Sequence, residues 1–251
     1  MEKIVGTVVR GLRAPIFKAG DDLVQMIPDL LDRFFEQENI EIGHKDVVAI
    51  TESVVARTQG NYVTIDQVAK DLNPDFAGKE LGVILPILSR NRFAIVLRAI
   101  ASADVEKVIL QLSLPSDEVG NHLITLDQLD NAGINPWRET ISEAKYRELF
   151  GYQKHEFTLA ILAHTKYVIN CDIHTRKRTK NLLLKNGAEC VRSLDDIMNA
   201  PIDGSGYNEK YGLLGSNKST EDQIKLFPRE CSPLVEAIQA EVKKRTGKTI
   251  E

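Results

Sequence analysis

Apolar residues recur at helical spacing at Leu23, Met26, Ile27, Leu30, Leu31 and Phe34. This predicts a helix from Leu23 to about Gln37, capped by Asp21 or Asp22, with Pro28 as an alternative second start. Before it, residues 3–9 read as a strand and Gly11 to Gly20 as a loop around Pro15. Asp46-Val47-Val48-Ala49-Ile50-Thr51 is a short apolar run that predicts a strand, with Val54 and Val55 extending it or opening a turn. Thr64 and Gln67 stand three apart, the spacing of a capping box, and start a helix through Leu72.

Further along, Ser89 caps an apolar helix over Phe93–Ala101, and Val108–Leu112 forms a strand. Pro115–Asn121 is a polar loop, and the turn Asn131–Arg138 opens a helix over Glu139–Phe150 that ends at Gly151. The stretch Tyr167–Gly187 reads as a buried strand, a polar turn and then a helix between the caps Thr175 and Gly187. With a strand at Ala188–Val191 this makes a βαβ unit. Ser193 caps Leu194–Met198, residues 201–220 are loop-rich, and Cys231 to Arg245 is a helix with Pro233 in its first turn.

Composition narrows the class. The 251 residues are 43% hydrophobic and 27% charged, ordinary for a globular chain, and fill one large domain or two small ones. A net charge of -4 disfavours nucleic acid as a partner. No apolar run has membrane-span length, and Arg10, Arg13 and Lys18 interrupt any leader-like core, so the expectation is a cytoplasmic protein without a membrane partner. Cys171, Cys190 and Cys231 are too widely spaced for a zinc pattern and read as free thiols. Cys171 has no base beside it in sequence to make it a nucleophile.

One helix start carries an electrostatic oddity. Arg176, Lys177 and Arg178 occupy the first turn after Thr175, where the helix dipole is positive and acids are preferred. A phosphate or carboxylate on the free N–H groups would resolve the conflict; solvated side chains are the plainer explanation. Asp172 and His174 lie just before, at the C-terminal end of a strand, where open α/β sheets place ligands. Arg90 and Arg92 repeat the pattern before Phe93.

Other candidates are fewer. There is no Walker P-loop and no GxGxxG; Gly247-Lys248-Thr249 lacks the preceding glycine. Leu213–Thr220 is a turn with Gly215, Ser216 and Lys218 whose backbone N–H groups suit phosphate. Asp172, His174, Glu52, Asp117 and Glu118 are the candidate metal ligands. No Ser/His/Asp arrangement is recognisable, and His44, His122, His155 and His164 receive no catalytic role. The sum favours a nucleotide or phosphorylated ligand.

Three stretches resemble a known family. Gly11-Leu12-Arg13-Ala14-Pro15-Ile16-Phe17-Lys18-Ala19-Gly20-Asp21-Asp22-Leu23 is similar to the GLP-x-I-x-x-GDDL opening of the coenzyme F-420-0:L-glutamate ligase family. Asp46 to Gly60 resembles its DVVVVxSKVVSKAEG stretch, and Asn131-Ala132-Gly133-Ile134 its NAGID turn. The fold the resemblance implies is α/β: a mixed-sheet, two-lobed fold of the gamma-glutamyl ligase type, neither P-loop nor ATP-grasp. Lobes of residues 1–130 and 131–251, or one intertwined unit, follow.

The implied activity joins a small-molecule carboxylic acid to L-glutamate through an acyl phosphate. GTP or ATP and magnesium or manganese would be its cofactors, and a homodimer its assembly. By the same resemblance Arg13, Pro15, Ile16, Glu52, Ser53 and Arg57 lie near the nucleotide, Arg57 replacing a family lysine. Gly215, Ser216 and Lys218 correspond to the last nucleotide loop, Arg176 to a basic residue after the metal motif, and Asp172 and Asn135 to the metal ligands. Asn135 stands where the family has an aspartate, so that site loses a charge. Two other readings stand beside the ligase: a non-catalytic nucleotide- or phosphometabolite-binding protein on this scaffold, and an enzyme of another class acting on a phosphorylated substrate without metal.

Overall fold

A computed structural model describes residues 6–85, 93–112, 125–135, 143–150, 165–171, 173, 176–185 and 187–251. In chain order the elements are α1 (Leu23–Glu38), α2 (Glu52–Thr58), β1 (Tyr62–Thr64), α3 (Ile65–Phe76) and β2 (Glu80–Leu85). Next come α4 (Phe93–Ser102), β3 (Lys107–Leu112), α5 (Leu126–Asn131), α6 (Glu143–Phe150) and β4 (Tyr167–Asn170). The series ends with α7 (Arg176–Lys185), β5 (Cys190–Ser193), a 3-10 turn at Leu194–Asp196, β6 (Asn217–Lys218), β7 (Gln223–Lys225) and α8 (Cys231–Thr246). These fall into two compact units, residues 1–61 with 228–251 and residues 62–227. The seam near residue 130 falls inside the second unit, because β3 before it and β4 after it both pair with β2.

In the first unit, α1 begins at the expected cap: an Asp22 carboxylate oxygen accepts from the Val24 N–H at 2.9 Å. Pro28 is accommodated within the helix. Phe17, Leu23, Ile27, Leu31, Val55, Ile238 and Val242 form the unit's buried core. Arg245 near the end of α8 ties it to α1, donating from Nη1 to Asp29 at 2.6 Å and Asp32 at 2.9 Å.

Two expected strands of this unit are not strands. Residues 6–9 have no regular structure, and Val8 and Val9 are exposed. No described chain pairs with them, and an unpaired segment has nothing to hold an extended ladder. Residues 46–51 form no strand either. Instead, Lys45 N–H donates to Thr249 O and Val48 N–H to Glu251 O, each at 2.8 Å, while Glu251 N–H returns to Asp46 O at 3.0 Å. The following Val54 and Val55 belong to α2, which opens after Thr51.

The second unit is built on a four-stranded parallel sheet of order β3-β2-β4-β5, with a separate antiparallel sheet of order β1-β7-β6. The central strand β2 lies in a stretch to which the periodicity assigns no element. Its run Leu81-Gly82-Val83-Ile84-Leu85 does not alternate, as expected of a strand covered on both faces. Leu81, Val83, Leu85, Leu110 and Ile169 pack with α3 and α4 residues such as Leu72, Phe76, Ile95 and Ile100. Ile109, Val168 and Val191 face the other way, with Leu183 of α7 packed against them. Fully burying such a side chain contributes roughly 1.5–3 kcal/mol. The β2–α4–β3 and β4–α7–β5 crossovers run outward in opposite directions from the β2–β4 pair. That pair is the sheet's topological switch point.

The cap expected of Ser193 opens only a 3-10 turn over Leu194–Asp196, short of Met198, and Gly151 and Thr175 lie outside the described residues. The Thr64–Gln67 box caps α3: Gln67 N–H donates to Thr64 Oγ1 at 3.2 Å, and Gln67 Oε1 accepts from Thr64 N–H at 2.9 Å. The same box occurs at Thr125 and Gln128 ahead of α5, a helix that the apolar periodicity does not predict. The expectations for residues 3–5, Ser89–Arg92, Pro115–Asn121, Pro136–Arg138 and the first residues of the helix before Phe150 lie outside the described residues, as do those for His122, His155 and His164. Among the described residues no helix is long and apolar enough to cross a membrane.

Candidate functional site

In the first unit, Arg13, Pro15 and Ile16 lie on an exposed irregular segment, Ile16 with 81% of its surface free. α2 carries the second group: Glu52 and Arg57 are exposed and Ser53 is half-buried, while Val55 and Ala56 turn into the core. Ser53 and Arg57 are four apart and share a face of the helix. The two motifs meet at their C-terminal ends, where the Gly20 N–H donates to Thr58 O at 2.8 Å. A Cβ on Gly60, which has φ +62, would stand 3.5 Å from Ala19 Cβ. Gln59 then fixes the approach to α8. Its Nε2 donates to Arg229 O at 2.6 Å and its Oε1 accepts from Arg229 N–H at 2.7 Å.

In the second unit the candidates gather near the C-terminal ends of β4 and β5. Asn170, fully buried at the end of β4, is paired in register with Ser193 at the end of β5. Its Nδ2 donates to the Arg176 carbonyl at 3.2 Å, fixing the start of α7 to the strand end. Arg176 donates from Nε to an Asp195 carboxylate oxygen at 2.8 Å and from Nη1 to Ile173 O at 3.0 Å. Lys180, one turn on, donates to Asp196 at 2.7 Å. At the basic helix start Arg176 thus has a carboxylate partner inside the chain, Asp195, and the neighbouring Asp196 pairs with Lys180. Lys177 and Arg178 are exposed.

The loop of Gly215, Ser216 and Lys218 approaches the same 3-10 turn. Leu213 N–H donates to Leu194 O at 2.8 Å, and Gly212 lies so close that a Cβ there would stand 2.3 Å from Ile197 O. Gly215 packs under the Phe227 ring, Ser216 is fully buried, and Lys218 pairs with Glu221 at 2.5 Å. Packing thus accounts for Gly215, where the sequence suggests a flexible phosphate-binding turn. The residue that sequence reasoning missed is Asp195, which lies 19 positions from Arg176.

The metal expectation has less behind it. Asp172 and His174 lie outside the described residues. Asn135 is exposed beyond α5, brings no charge, and among the described residues no three His, Cys, Asp or Glu side chains gather as a metal-binding group. Cys171, at the end of β4, is buried, and burial pushes its thiol up to about 12, which keeps it protonated and a poor nucleophile.

The F420-0:gamma-glutamyl ligase family model matches residues 11–251. The chain belongs to this family. The match spans both N-terminal motifs, the switch point and the region of Arg176 and Asp195, so the α/β fold expected from the resemblance agrees with the observed one. Comparison with curated proteins and comparison with solved structures each gave no match.

Proposed function

We propose that this ligase-family chain joins the carboxylate of F420-0, or of a related acid, to the amine of L-glutamate, driven by a nucleoside triphosphate. GTP is the first candidate and ATP the second. A carboxylate oxygen attacks the γ-phosphorus, forming a C–O–P linkage as the bond to the nucleoside diphosphate breaks. The glutamate amine, having lost a proton, then attacks the acyl carbon. The C–N bond forms and inorganic phosphate leaves with the electron pair of the C–O bond.

The observation that carries this reading is the family match over residues 11–251. The geometry around Arg176 supports it: a guanidinium on a side chain that is a quarter exposed, anchored at a strand end beside the switch point, is placed for an anionic ligand. Phosphoryl transfer spreads negative charge over equatorial oxygens, so a fixed cation favours its transition state. Arg13 and Arg57 are the corresponding cations of the first unit in this reading.

A second reading, nucleotide or phosphometabolite binding without turnover, is favoured by Asn135 in place of the family aspartate. Thermal melting separates the two. A ligand that binds only the folded chain raises the midpoint according to its concentration over its dissociation constant. The ligase reading expects a rise with GTP or ATP that grows with magnesium. A rise indifferent to magnesium supports binding alone, and no rise with either nucleotide removes both.

A further inference from the structure

The environment of Arg176 contains more than a salt bridge. Its main chain is tied to the end of β4 through the buried Asn170. Its guanidinium is held on one edge by Asp195 and on the other by the carbonyl of Ile173. Nη2 makes no hydrogen bond with any described residue. The side chain is a quarter exposed, and that of Asp195 is less exposed still.

Asp195 is itself built into a stiff frame. Its carbonyl accepts from Asn199 Nδ2 at 2.7 Å. The next residue, Asp196, accepts from Ser193 N–H and from Lys180, each at 2.7 Å, and its carbonyl accepts from Arg192 Nε at 3.1 Å. A surface ion pair with no functional duty contributes little and needs no such support. A cation whose orientation must be kept when a polyanion arrives does need it, because a guanidinium free to rotate loses entropy on binding.

We propose that Asp195 is a positioning residue: it orients the Arg176 guanidinium so that its Nη2 edge is presented to an anionic phosphoryl oxygen. This rests on the ligase reading, in which Arg176 contacts the nucleotide. With Nε on Asp195 and Nη1 on Ile173 O, the in-plane N–H groups of Nη2 are left for the ligand, a geometry that lysine does not reproduce. Asp195 touches no substrate and acts through Arg176 alone.

The test is a double-mutant cycle on nucleotide affinity, with GTP and magnesium titrated into the full chain by calorimetry. Asp195→Asn and Arg176→Ala are each expected to weaken binding about tenfold or more, and the double variant to bind no more weakly than Arg176→Ala alone. Arg176→Lys, which keeps the charge and loses the fork, should weaken binding as Asp195→Asn does. That arm, together with Asp195→Glu as the conservative rescue, decides the matter if Asp195→Asn does not fold. Wild-type affinity in Asp195→Asn, wild-type affinity in Arg176→Lys, or full addition of the two losses would overturn the positioning role while leaving the ligase reading intact. Failure of the wild-type chain to bind GTP or ATP would overturn both.

Discussion

The ring of Phe227 occupies the space that a side chain at residue 215 would need. A Cβ on Gly215 would stand 2.0 Å from Phe227 Cε2, and Gly215 also has φ +78, in the left-handed region. Gly215→Ala should therefore destabilise the second unit by about 2–4 kcal/mol, combining overpacking with the left-handed backbone. Urea unfolding of Gly215→Ala, Phe227→Ala and the double variant checks this. The double loss should be smaller than the sum of the singles, since removing the ring relieves the clash. Additive losses would mean that the two residues do not meet.

Arg192 of β5 gathers α3 and the 3-10 turn around one guanidinium. Nη2 donates to Asp71 Oδ2 at 2.6 Å, Nη1 to Asp71 O at 2.7 Å and to Asp75 at 3.2 Å. Asp71 Oδ2 also accepts from Met198 N–H at 3.0 Å, which helps hold that residue at φ +61. Both side chains are less than a fifth exposed. Asp71→Asn should cost about 2–4 kcal/mol, read as a lower urea midpoint, because it leaves a largely buried cation short of its countercharge. Asp75→Asn, whose carboxylate is 41% exposed, should cost under about 1 kcal/mol.

The three thiols should differ in the native state. Cys231 is exposed, Cys190 half-buried and Cys171 buried. A thiol reagent at neutral pH should label Cys231 first and reach Cys171 only on unfolding, which peptide mapping would show. The alkaline limb carries the sign of the same burial. Because the folded thiol of Cys171 is raised from 9.0 to about 12, its contribution is whole below pH 9 and declines as pH rises toward 12, where only the unfolded chain gives up the proton. Cys171→Ala should therefore flatten the fall of stability above pH 9. An unchanged alkaline slope would mean that this thiol ionises in the folded chain.

Much of the fold was legible where local chemistry decides it. Asp22 caps α1 and the Thr64–Gln67 box caps α3, because such bonds close within three residues. The periodicity failed where partners lie far away in sequence. Leu81–Leu85 and residues 46–51 are similar apolar runs. The first is the centre of a parallel sheet, and the second forms no strand and exchanges backbone hydrogen bonds with Glu251. Nothing within either run distinguishes them.

The site divides the same way. Arg176 could be noticed as a cation at the wrong end of a helix. Its partner Asp195 follows from the parallel register of Asn170 with Ser193, which brings the starts of α7 and the 3-10 turn side by side. Two consecutive acids directly after a strand were the available signal. Gly215 looked like part of a phosphate turn because the pattern of small and polar residues is the same whether a loop wraps a ligand or packs under a ring.

The most direct test of the ligase account is product analysis. The purified chain is incubated with F420-0, L-glutamate, GTP and magnesium, and the mixture is resolved by chromatography with mass detection. The account predicts a product heavier by one glutamyl residue, with one inorganic phosphate released per amide bond formed. F420-0 recovered unchanged with GTP and with ATP, in a mixture from which an active member of the family makes the product, would contradict it.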